Sequence, residues 1–445
     1  MTKPAGLIEE TGVQKPSKVR YRVLTAATLA SLLLYLDRVC IAKIVDSASF
    51  KADLPLSNIQ NSWILGSFFF AYAFGQVPGG WLADRFGPRA MLSAYVVLWS
   101  AFTAATGLAS GFVSLLLARV GFGLAQAGAY PTSGGLLKHW ITFPDRAKAS
   151  STVALGGRVG GAIAPLLTVM ILSTTGSWRA ALIGYGLAGC ALAWLVWSIV
   201  RDRPDEHHRC NPAERRLIAD AQPSEERLER ASAERFSVLP LLANSSMWLN
   251  CLSQFGTNMG WAFFVTLLPR YLSEVKRVET AAGGQMVSVV LFVGMGGMLL
   301  GGWLTDWVTR RLGVRWGRAL PLGVSRLLAA AVFLSCLWID SPVMLTAAFA
   351  VVAFATDLGV SCVWAYAQDV GGSHTGAVLG WGNMWGNFGA GISPVLATWV
   401  VQSWDVNQDW HEAFVLFAAS FLVAGLAGLG MNATSRIYVP TRSQR

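Results

Sequence analysis

Four ionisable side chains in the first half of this 445-residue chain lie inside long apolar stretches: Asp37, Arg38, Arg119 and Arg158. An arginine in a lipid-spanning helix costs roughly 2.5 kcal/mol or more, so such a residue is expected to face a cavity or a partner. Guanidinium groups bind carboxylates through paired hydrogen bonds. Three arginines against one aspartate therefore predict an electropositive cavity for a small organic anion, with Asp37 as the group that takes up a proton.

Helical geometry places these residues at comparable depths. At a rise of about 1.5 Å per residue, Asp37 lies roughly 22 Å in from the cytoplasmic end of the first apolar stretch, and Arg119 roughly 10 Å below the outer surface. Asp37 or Arg38 can therefore meet Arg119, and the alternative is a local Asp37–Arg38 pair near the outer interface. Gln126 lies on the same helical face as Arg119 and at a depth comparable to that of Arg158, which lies roughly 15 Å in from the cytoplasmic end. Gln126 and Arg158 are therefore predicted to contact the substrate. The alternative for Arg158 is a structural partner for an acid.

The second half of the chain offers fewer charges and more amides and aromatic rings. Arg326 and Asp357 fall at similar depths and are expected to neutralise each other as a structural pair. Asn383 and Asn387 are one helical turn apart and share a face. Packing or interface anchoring is the competing explanation for the aromatic residues. With Tyr35 from the first half, the candidate cavity residues are Gln254, Asn258, Trp261, Trp364, Tyr366, Asn383, Trp385 and Asn387.

Membrane helices must position these side chains. Apolar residues make up 53% of the chain and charged residues only 13%, against about 25% charged residues in soluble proteins. Lipid is therefore the expected solvent. We predict an all-α membrane protein with twelve transmembrane helices in two six-helix bundles. The predicted spans lie near 21–44, 61–83, 90–109, 112–138, 148–173, 178–200, 243–271, 281–308, 318–338, 342–369, 374–403 and 411–433.

A polar segment divides the chain into two halves. Residues 201–240 are rich in charges of both signs and are predicted to form a cytoplasmic linker, with a short amphipathic helix that begins near Pro212. The N-terminal bundle then covers residues 21–200 and the C-terminal bundle 241–435, with cytoplasmic tails at 1–20 and 436–445. Basic residues concentrate in alternate gaps between spans, and this positive-inside pattern predicts that both termini are cytoplasmic.

Several function classes are disfavoured by the same observations. The net charge of +10 comes from residues between spans, so we expect a lipid bilayer and no nucleic acid as the partner. The stretch before the first span is polar, and we expect no cleavable signal peptide. The six cysteines are scattered, which favours packing over metal or redox chemistry, and we expect no metal and no cofactor. No HExxH, GxSxG or P-loop pattern occurs, so we do not expect an enzyme.

A short motif occurs once in each half of the chain. The pattern G-W-L-x-D follows the second predicted span and ends at Asp84, and it follows the eighth and ends at Asp306. Internal repeats are typical of secondary transporters. We interpret the two aspartates as gating residues that pair with arginine across the cytoplasmic mouth, and the alternative is a loop cap among positive-inside charges. The arginines of these loops are Arg85, Arg89 and Arg310.

The repeated loop and the fourth-span arginine resemble signature motifs of the major facilitator superfamily. With Asp37-Arg38 in the first span, nearly the whole chain resembles the anion:cation symporter family, which includes bacterial galactonate and hexuronate carriers and animal sialic-acid and vesicular glutamate transporters. The resemblance implies the major facilitator fold, proton binding by Asp37, anion binding by Arg38, and coupling to both through Arg119. Where that family usually has a glutamate proton site, this chain has Gln126, whose amide takes up no proton.

We therefore expect a secondary active transporter of a small organic anion, such as a sugar acid, that is coupled to protons and works by alternating access. Because of Gln126, anion exchange or uncoupled transport is the first alternative. An exporter of cationic or lipophilic compounds is expected to have acids rather than arginines in its cavity. A membrane sensor would bind the anion without turnover. The expected partners are the anion, protons and lipid, and the expected state is a monomer in a bacterial inner membrane.

Overall fold

The computed structural model describes residues 15–222, 236–403 and 409–437, and within these residues the chain is helical and contains no strand. Parts of the predicted linker and of both predicted tails, namely 223–235, 1–14 and 438–445, lie outside the described residues. Long apolar stretches form helices because a helix satisfies its own backbone polar groups, which lipid cannot do.

The described residues of the first half form eight helices, and a short turn of 3₁₀ helix, Phe143–Asp145, precedes the seventh of them. The helices are α1 (Val19–Asp46), α2 (Ala48–Asp53), α3 (Asn58–Phe86), α4 (Pro88–Leu108), α5 (Phe112–Ala127), α6 (Ala129–Trp140), α7 (Arg146–Thr175) and α8 (Trp178–Ile199).

In the linker, a Pro204–Glu206 turn of 3₁₀ helix precedes α9 (Pro212–Asp220), which begins where the sequence predicted an amphipathic helix. The second half has two further 3₁₀ turns, Cys336–Trp338 and Gly372–His374. Its helices are α10 (Leu239–Ala243), α11 (Ser245–Ala262), a π-helical turn (Phe263–Leu267), α12 (Leu268–Glu274), α13 (Thr280–Ser335), α14 (Pro342–Leu358), α15 (Val360–Val370), α16 (Thr375–Ser403) and α17 (His411–Gly430).

Several of these helices are parts of longer rods. α5 continues into α6 across Gly128, and α14 continues into α15 across Gly359. The long helix α13 is divided at Gly313, whose φ of 79° lies in the left-handed region that glycine tolerates. Eight helical stretches are long and apolar enough to cross a membrane. With α13 divided and with α3, α11–α12 and α16 included, the described residues form twelve rods that match the predicted spans.

The two halves meet through equivalent helices. Within the first half α1 packs on α7 and α4 on α8, and within the second half α13 packs on α14 and α11 on α16. Between the halves, α3 packs on α16 and α7 on α13. The backbone N–H of Ser17 donates to Asn211 Oδ1 at 3.0 Å, and that of Ile437 donates to the Val370 oxygen at 3.0 Å. The described N-terminal end therefore lies beside the linker, and the described C-terminal end lies beside the last residue of α15. We call the side of the molecule that carries the linker the linker end.

Glycines bring α1 and α7 into close contact. A Cβ atom added at Gly160 would collide with the Leu32 carbonyl oxygen, and one at Gly156 would lie 2.6 Å from the Thr28 carbonyl oxygen. The two glycines are four residues apart, so they present one small-residue face to α1. This contact holds the helix that carries Asp37 and Arg38 against the helix that carries Arg158.

We expect Gly160→Ala to destabilise the protein by about 1–3 kcal/mol, because the added methyl group forces α1 and α7 apart. The measurement is the melting temperature of the purified protein in detergent. Gly184→Ala in α8 is the matched control, since its Cβ would meet no atom within 4 Å. Equal melting temperatures for both variants and the unaltered protein would contradict this role of Gly160.

Candidate functional site

A cavity of about 460 Å³ lies between the two halves. Helices α1, α3, α5, α6 and α7 line one side, and α11 and α13 to α16 line the other. The structure thus brings ten of the thirteen candidate cavity residues to the walls of one cavity, and Gln126, Tyr366 and Trp385 are the exceptions. These ten are Tyr35, Arg38, Arg119, Arg158, Gln254, Asn258, Trp261, Trp364, Asn383 and Asn387.

Arg38 projects from α1 into a group of aromatic side chains. Its guanidinium carbon lies 4.8 Å from the ring centres of Tyr35 and Phe68 and 4.4 Å from that of Tyr72. Its Nε and Nη2 atoms each donate to Gln126 Oε1 at 3.3 Å. Among the described residues, no carboxylate pairs with this guanidinium. The rings attract the cation but do not cancel its charge, so Arg38 can attract an anion that enters the cavity.

Gln126 lies behind Arg38 rather than on the cavity wall, which corrects its predicted role as a substrate contact. It is fully buried, and its Nε2 donates to the Leu34 carbonyl oxygen at 2.9 Å. Its Oε1 accepts the two hydrogen bonds from Arg38. A carboxylate in this place would neutralise the guanidinium, whereas the amide orients it and leaves its charge intact. Gln126 is therefore a positioning residue for Arg38.

Asp37 is buried on the side of α1 away from the cavity lining. Its carboxylate lies beside Trp99 of α4 and Arg119 of α5. In the part of the chain that the structure describes, neither carboxylate oxygen accepts a hydrogen bond of good geometry. Arg119 reaches the cavity, and its guanidinium carbon lies 4.5 Å from the ring centre of Phe122. Asp37 and Arg119 thus meet as neighbouring charges without a direct hydrogen bond.

Arg158 connects the two halves of the protein. Its Nη2 donates to Asp357 Oδ1 at 2.7 Å, and its guanidinium carbon lies 4.4 Å from the ring centre of Trp261. The prediction that Arg326 and Asp357 form an ion pair is therefore wrong. Arg326 donates to Thr257 Oγ1 at 2.9 Å and to a backbone carbonyl of α14, although the charge of Asp357 still acts on it. Similar depth along two helices does not determine which way each side chain points.

The amides of the second half occupy two neighbouring helices. The side-chain nitrogen of Asn258 donates to the Gln254 carbonyl oxygen, and that of Asn387 donates to the Asn383 carbonyl oxygen, both at 2.8 Å. The two residues of each pair are one helical turn apart and face the cavity, as the spacing of Asn383 and Asn387 predicted for that pair. These residues supply polar contacts without charge opposite the arginines of the first half.

The aromatic candidates divide into two groups. Trp261 and Trp364 line the cavity. Tyr366 instead shares a hydrogen bond with a serine of α11, and Trp385 packs on a tryptophan of that helix. These two residues therefore belong to the packing of the second half, which was the competing explanation.

Four aromatic cavity residues were missed in the sequence, namely Phe68, Phe69, Tyr72 and Tyr130. Tyr130 follows the helix break at Gly128, and its ring lies 5.2 Å from that of Trp364 across the interface between the halves. Phe68 and Tyr72 lie within an aromatic run that resembles a lipid-facing surface. Their spacing of one helical turn, at the depth of the first-span charges, is the signal that would have identified them.

Asp84 and Asp306 close the linker end by capping helices of the opposite half. The Asp84 oxygens accept hydrogen bonds from the backbone N–H groups of Gly376 and Ala377, both at 2.9 Å, in the first turn of α16. Asp306 accepts two from the first turn of α7, at 3.3 and 3.1 Å. Pairing of these aspartates with arginine was therefore predicted wrongly. A helix start offers unpaired N–H groups and a positive dipole end, which suit a carboxylate equally well.

Among the described residues, the predicted gating arginines form no ion pair between the halves, although the charge of Arg310 acts on Asp145 of the first half. Arg85 and Arg310 are exposed, and the guanidinium carbon of Arg89 lies 3.9 Å from the ring centre of Trp197 within its own half. Two arginines from opposite halves converge on another acid. Their partner is Asp369, which pairs with Arg318 at 2.8 Å and with Arg146 at 3.8 Å.

These contacts seal the cavity at the linker end. Towards the opposite end, the lining continues through Ala42 of α1, Leu65 of α3 and Val265 after α11. Each of these lies farther along the chain from the linker end than the other lining residues of its helix. The structure therefore shows the state in which the site is closed on one side of the bundle and extends towards the other. Such a state is one of the two that alternating access requires.

Comparisons with known proteins agree with this geometry. The probable sulfoacetate transporter SauU of Cupriavidus necator is 27% identical over 93% of this chain and 94% of its own length. The hexuronate transporter of Bacillus subtilis is 28% identical over 92% of this chain and 94% of its own. The D-galactonate transporter of Escherichia coli O6:H1 is 25% identical over 93% and 95%.

Solved structures share the fold at low sequence identity. The human organic anion transporter MFSD10 (TETRAN) matches with a TM-score of 0.71 at 15% identity, covering 92% of this chain and 99% of that chain. The proton:xylose symporter XylE matches with a TM-score of 0.68 at 16% identity, covering 92% and 94%. The model of the Major Facilitator Superfamily matches residues 27–393, which is most of the sequence. This chain, an all-helical integral membrane protein, therefore belongs to the major facilitator superfamily.

Proposed function

We propose that this protein is a secondary transporter that moves a small organic anion, a carboxylate such as a sugar acid, by alternating access. The observation that carries the proposal is the guanidinium of Arg38, which lies at the cavity between the halves and has no carboxylate partner among the described residues. A buried cation without a counter-charge is costly, and an anionic ligand offsets that cost. Relatives named as sulfoacetate, hexuronate and galactonate transporters support the same ligand class.

The remaining cavity residues have complementary roles in this proposal. Arg38 binds the carboxylate, and Arg119 adds positive potential behind it. Tyr35 and the amides of α11 and α16 contact the hydroxyl or carbonyl groups of the anion. Arg158 bridges the halves through Asp357, so ligand binding close to this pair acts on both bundles.

Proton coupling is the finer part of the proposal, and Asp37 is its candidate site. The carboxylate lies beside Arg119 and Trp99, and among the described residues it accepts no hydrogen bond of good geometry. A proton on Asp37 removes its attraction for Arg119, so the anion then meets a more positive arginine pair. Anion exchange is the alternative mechanism, because the fixed amide of Gln126 stands where a second proton site would act.

Location and orientation follow from the charge pattern. We place the protein as a monomer in a bacterial inner membrane, with the linker end and both termini in the cytoplasm. Opening towards the cytoplasm then requires Asp84 and Asp306 to leave the helix starts that they cap. Release of both caps at once would let the two bundles separate at the linker end.

Other function classes fit the cavity less well. An exporter of cationic compounds requires acids in the cavity, whereas four arginines and one aspartate line it. A sensor that binds without turnover is distinguished by uptake into liposomes. Membership in a superfamily of transporters agrees with the expectation that the chain is not an enzyme.

We expect Arg38→Gln to weaken anion binding by about 2 kcal/mol, or about thirtyfold, because a charge-assisted hydrogen bond is lost from a buried site. The measurement is calorimetric titration of the purified protein with sulfoacetate, a hexuronate and D-galactonate, the anions in the names of its relatives. Arg311→Gln is the control, since it removes an exposed arginine near the linker end. Unchanged affinity in Arg38→Gln would exclude Arg38 as the anion ligand.

We expect Asp37→Asn to abolish the response of uptake to an imposed pH gradient in proteoliposomes, because the substituted amide takes up no proton. Exchange of labelled for unlabelled anion should persist, since it needs no net proton movement. Uptake that follows the pH gradient equally in the variant would rule out Asp37 as the coupling group.

We expect Gln126→Glu to make anion binding pH-dependent. An ionised glutamate at the position of an amide oxygen 3.3 Å from Arg38 would pair with the guanidinium and compete with the anion. Binding should therefore be weak above the pKa of the new carboxyl group and recover as the pH falls through it. The measurement is affinity across a pH series, compared with the unaltered protein, and parallel profiles would contradict the positioning role of Gln126.

A further inference from the structure

We infer that the cavity selects small dianions, with one acidic group on the Arg38 side and a second on the Arg158 side. This inference rests on the proposed transport of an organic anion and adds to it the number and placement of the ligand's charges.

The first binding position is the cluster of Arg38, Arg119 and Asp37. Arg38 faces the cavity with only an amide and aromatic rings as partners, and the carboxylate of Asp37 acts on Arg119 from behind. The cluster thus contains two guanidinium groups and one carboxylate, which of the two acts on Arg119 alone. The cluster has one positive charge in excess when Asp37 is ionised.

The second binding position repeats this arrangement with other helices. Arg158 and Arg326 both line the cavity. Asp357 forms an ion pair with Arg158, and its charge also acts on Arg326. This position therefore also contains two guanidinium groups and one carboxylate. The excess positive charge of the whole site is therefore two, and it is divided between two positions rather than gathered at one.

Charge balance in a poorly hydrated site favours a ligand of the same magnitude. A monoanion leaves one buried guanidinium charge without compensation, whereas a dianion compensates both positions. Gln126 contributes to this selectivity because its amide leaves the charge of Arg38 intact. A proton on Asp37 increases the positive excess and does not remove the need for a second negative charge.

The geometry between the two positions suits a short ligand. The charges of Arg38 and Arg158 both act on Tyr35 and Tyr130, whose ring centres are 6.3 Å apart. The guanidinium groups of Arg38 and Arg158 therefore both lie near the same pair of tyrosines. A cavity of about 460 Å³ accommodates an acid of a few carbon atoms that reaches from one group to the other.

Arg158 can hold a second acid without leaving Asp357. In the part of the chain that the structure describes, it makes one side-chain hydrogen bond, from Nη2 to Asp357 Oδ1. A guanidinium group has five N–H donors in a planar fork, so further donors remain for a ligand. The alternative is that Arg158 and Asp357 form a neutral structural bridge, in which case the second acid would bind at Arg326 instead.

The test uses matched pairs of acids that differ by one carboxylate replaced with a hydroxymethyl group. Glucarate is compared with gluconate, and sulfoacetate with 2-hydroxyethanesulfonate, by calorimetric titration of the purified full-length protein at fixed ionic strength. We expect the dianion of at least one pair to bind about tenfold more tightly or better, as the gain of a buried charge-assisted hydrogen bond implies.

Substitution of Arg158 identifies the second position. In Arg158→Gln the affinity for the dianion should fall far more than that for the monoanion, so their ratio approaches one, while Arg158→Lys should retain part of the preference. Arg216→Gln, an exposed linker arginine, is the control and should preserve the ratio.

The possible results of these titrations distinguish the dianion inference from the proposed anion transport on which it rests. Equal or tighter binding of the monoanion in both pairs would overturn the dianion inference and leave anion transport intact, and the unaltered protein alone decides this if a variant does not fold. A dianion preference that survives in Arg158→Gln would overturn the assignment of the second position. Binding of none of the four acids would remove the proposed function together with the inference.

Discussion

Buried charge between two apolar bundles has to be compensated inside the protein, because neither lipid nor a narrow cavity hydrates it well. The ionisable side chains near the cavity illustrate this constraint. Arg158 meets Asp357 across the interface, Asp37 lies beside Arg119, and Arg38 is stabilised by aromatic faces and an amide. The compensation is incomplete at Arg38, where an anionic ligand can supply the missing charge.

The same constraint shapes the closed end of the molecule. Asp84 and Asp306 occupy equivalent places in the two halves, and each caps the start of a helix in the other half. The two contacts repeat one interaction with the roles of the halves reversed, which is what a duplicated bundle produces. Carboxylates that bind helix starts can be released together without leaving an ion pair broken, because the backbone N–H groups carry only partial charge.

Gln126 connects the local chemistry to the mechanism. An ionised carboxylate at this position would compensate the charge of Arg38, and a protonated carboxyl group would not. The amide holds Arg38 in a fixed orientation and charge state, so the remaining titratable group of this cluster is Asp37. The site is therefore more positive than one with an acid in that place, and this charge is what the ligand must match.

The sequence was sufficient to predict the fold and many residues of the site, but not which charged side chains contact each other. The twelve rods, the linker helix at Pro212 and the cavity position of Arg38, Arg119 and Arg158 follow from hydropathy and from the cost of charge in lipid. Tyr130 was missed because a lone tyrosine after a helix break has no distinctive spacing. Tyr366 was misplaced because aromatic residues on a membrane helix suit packing and cavities equally well.

By itself the sequence determined the membrane class, the order of the helices and the set of polar groups available to a ligand, since hydrophobic length and charge are local properties of the chain. Only the tertiary structure decided that Asp357 pairs with Arg158 rather than Arg326, and that Asp84 caps a helix rather than binding an arginine. Residue number gives depth along a helix, whereas partner choice depends on the rotation of each helix and on the packing between halves. That rotation is set by contacts such as the glycine face of α7 against α1, which form only when the whole bundle assembles.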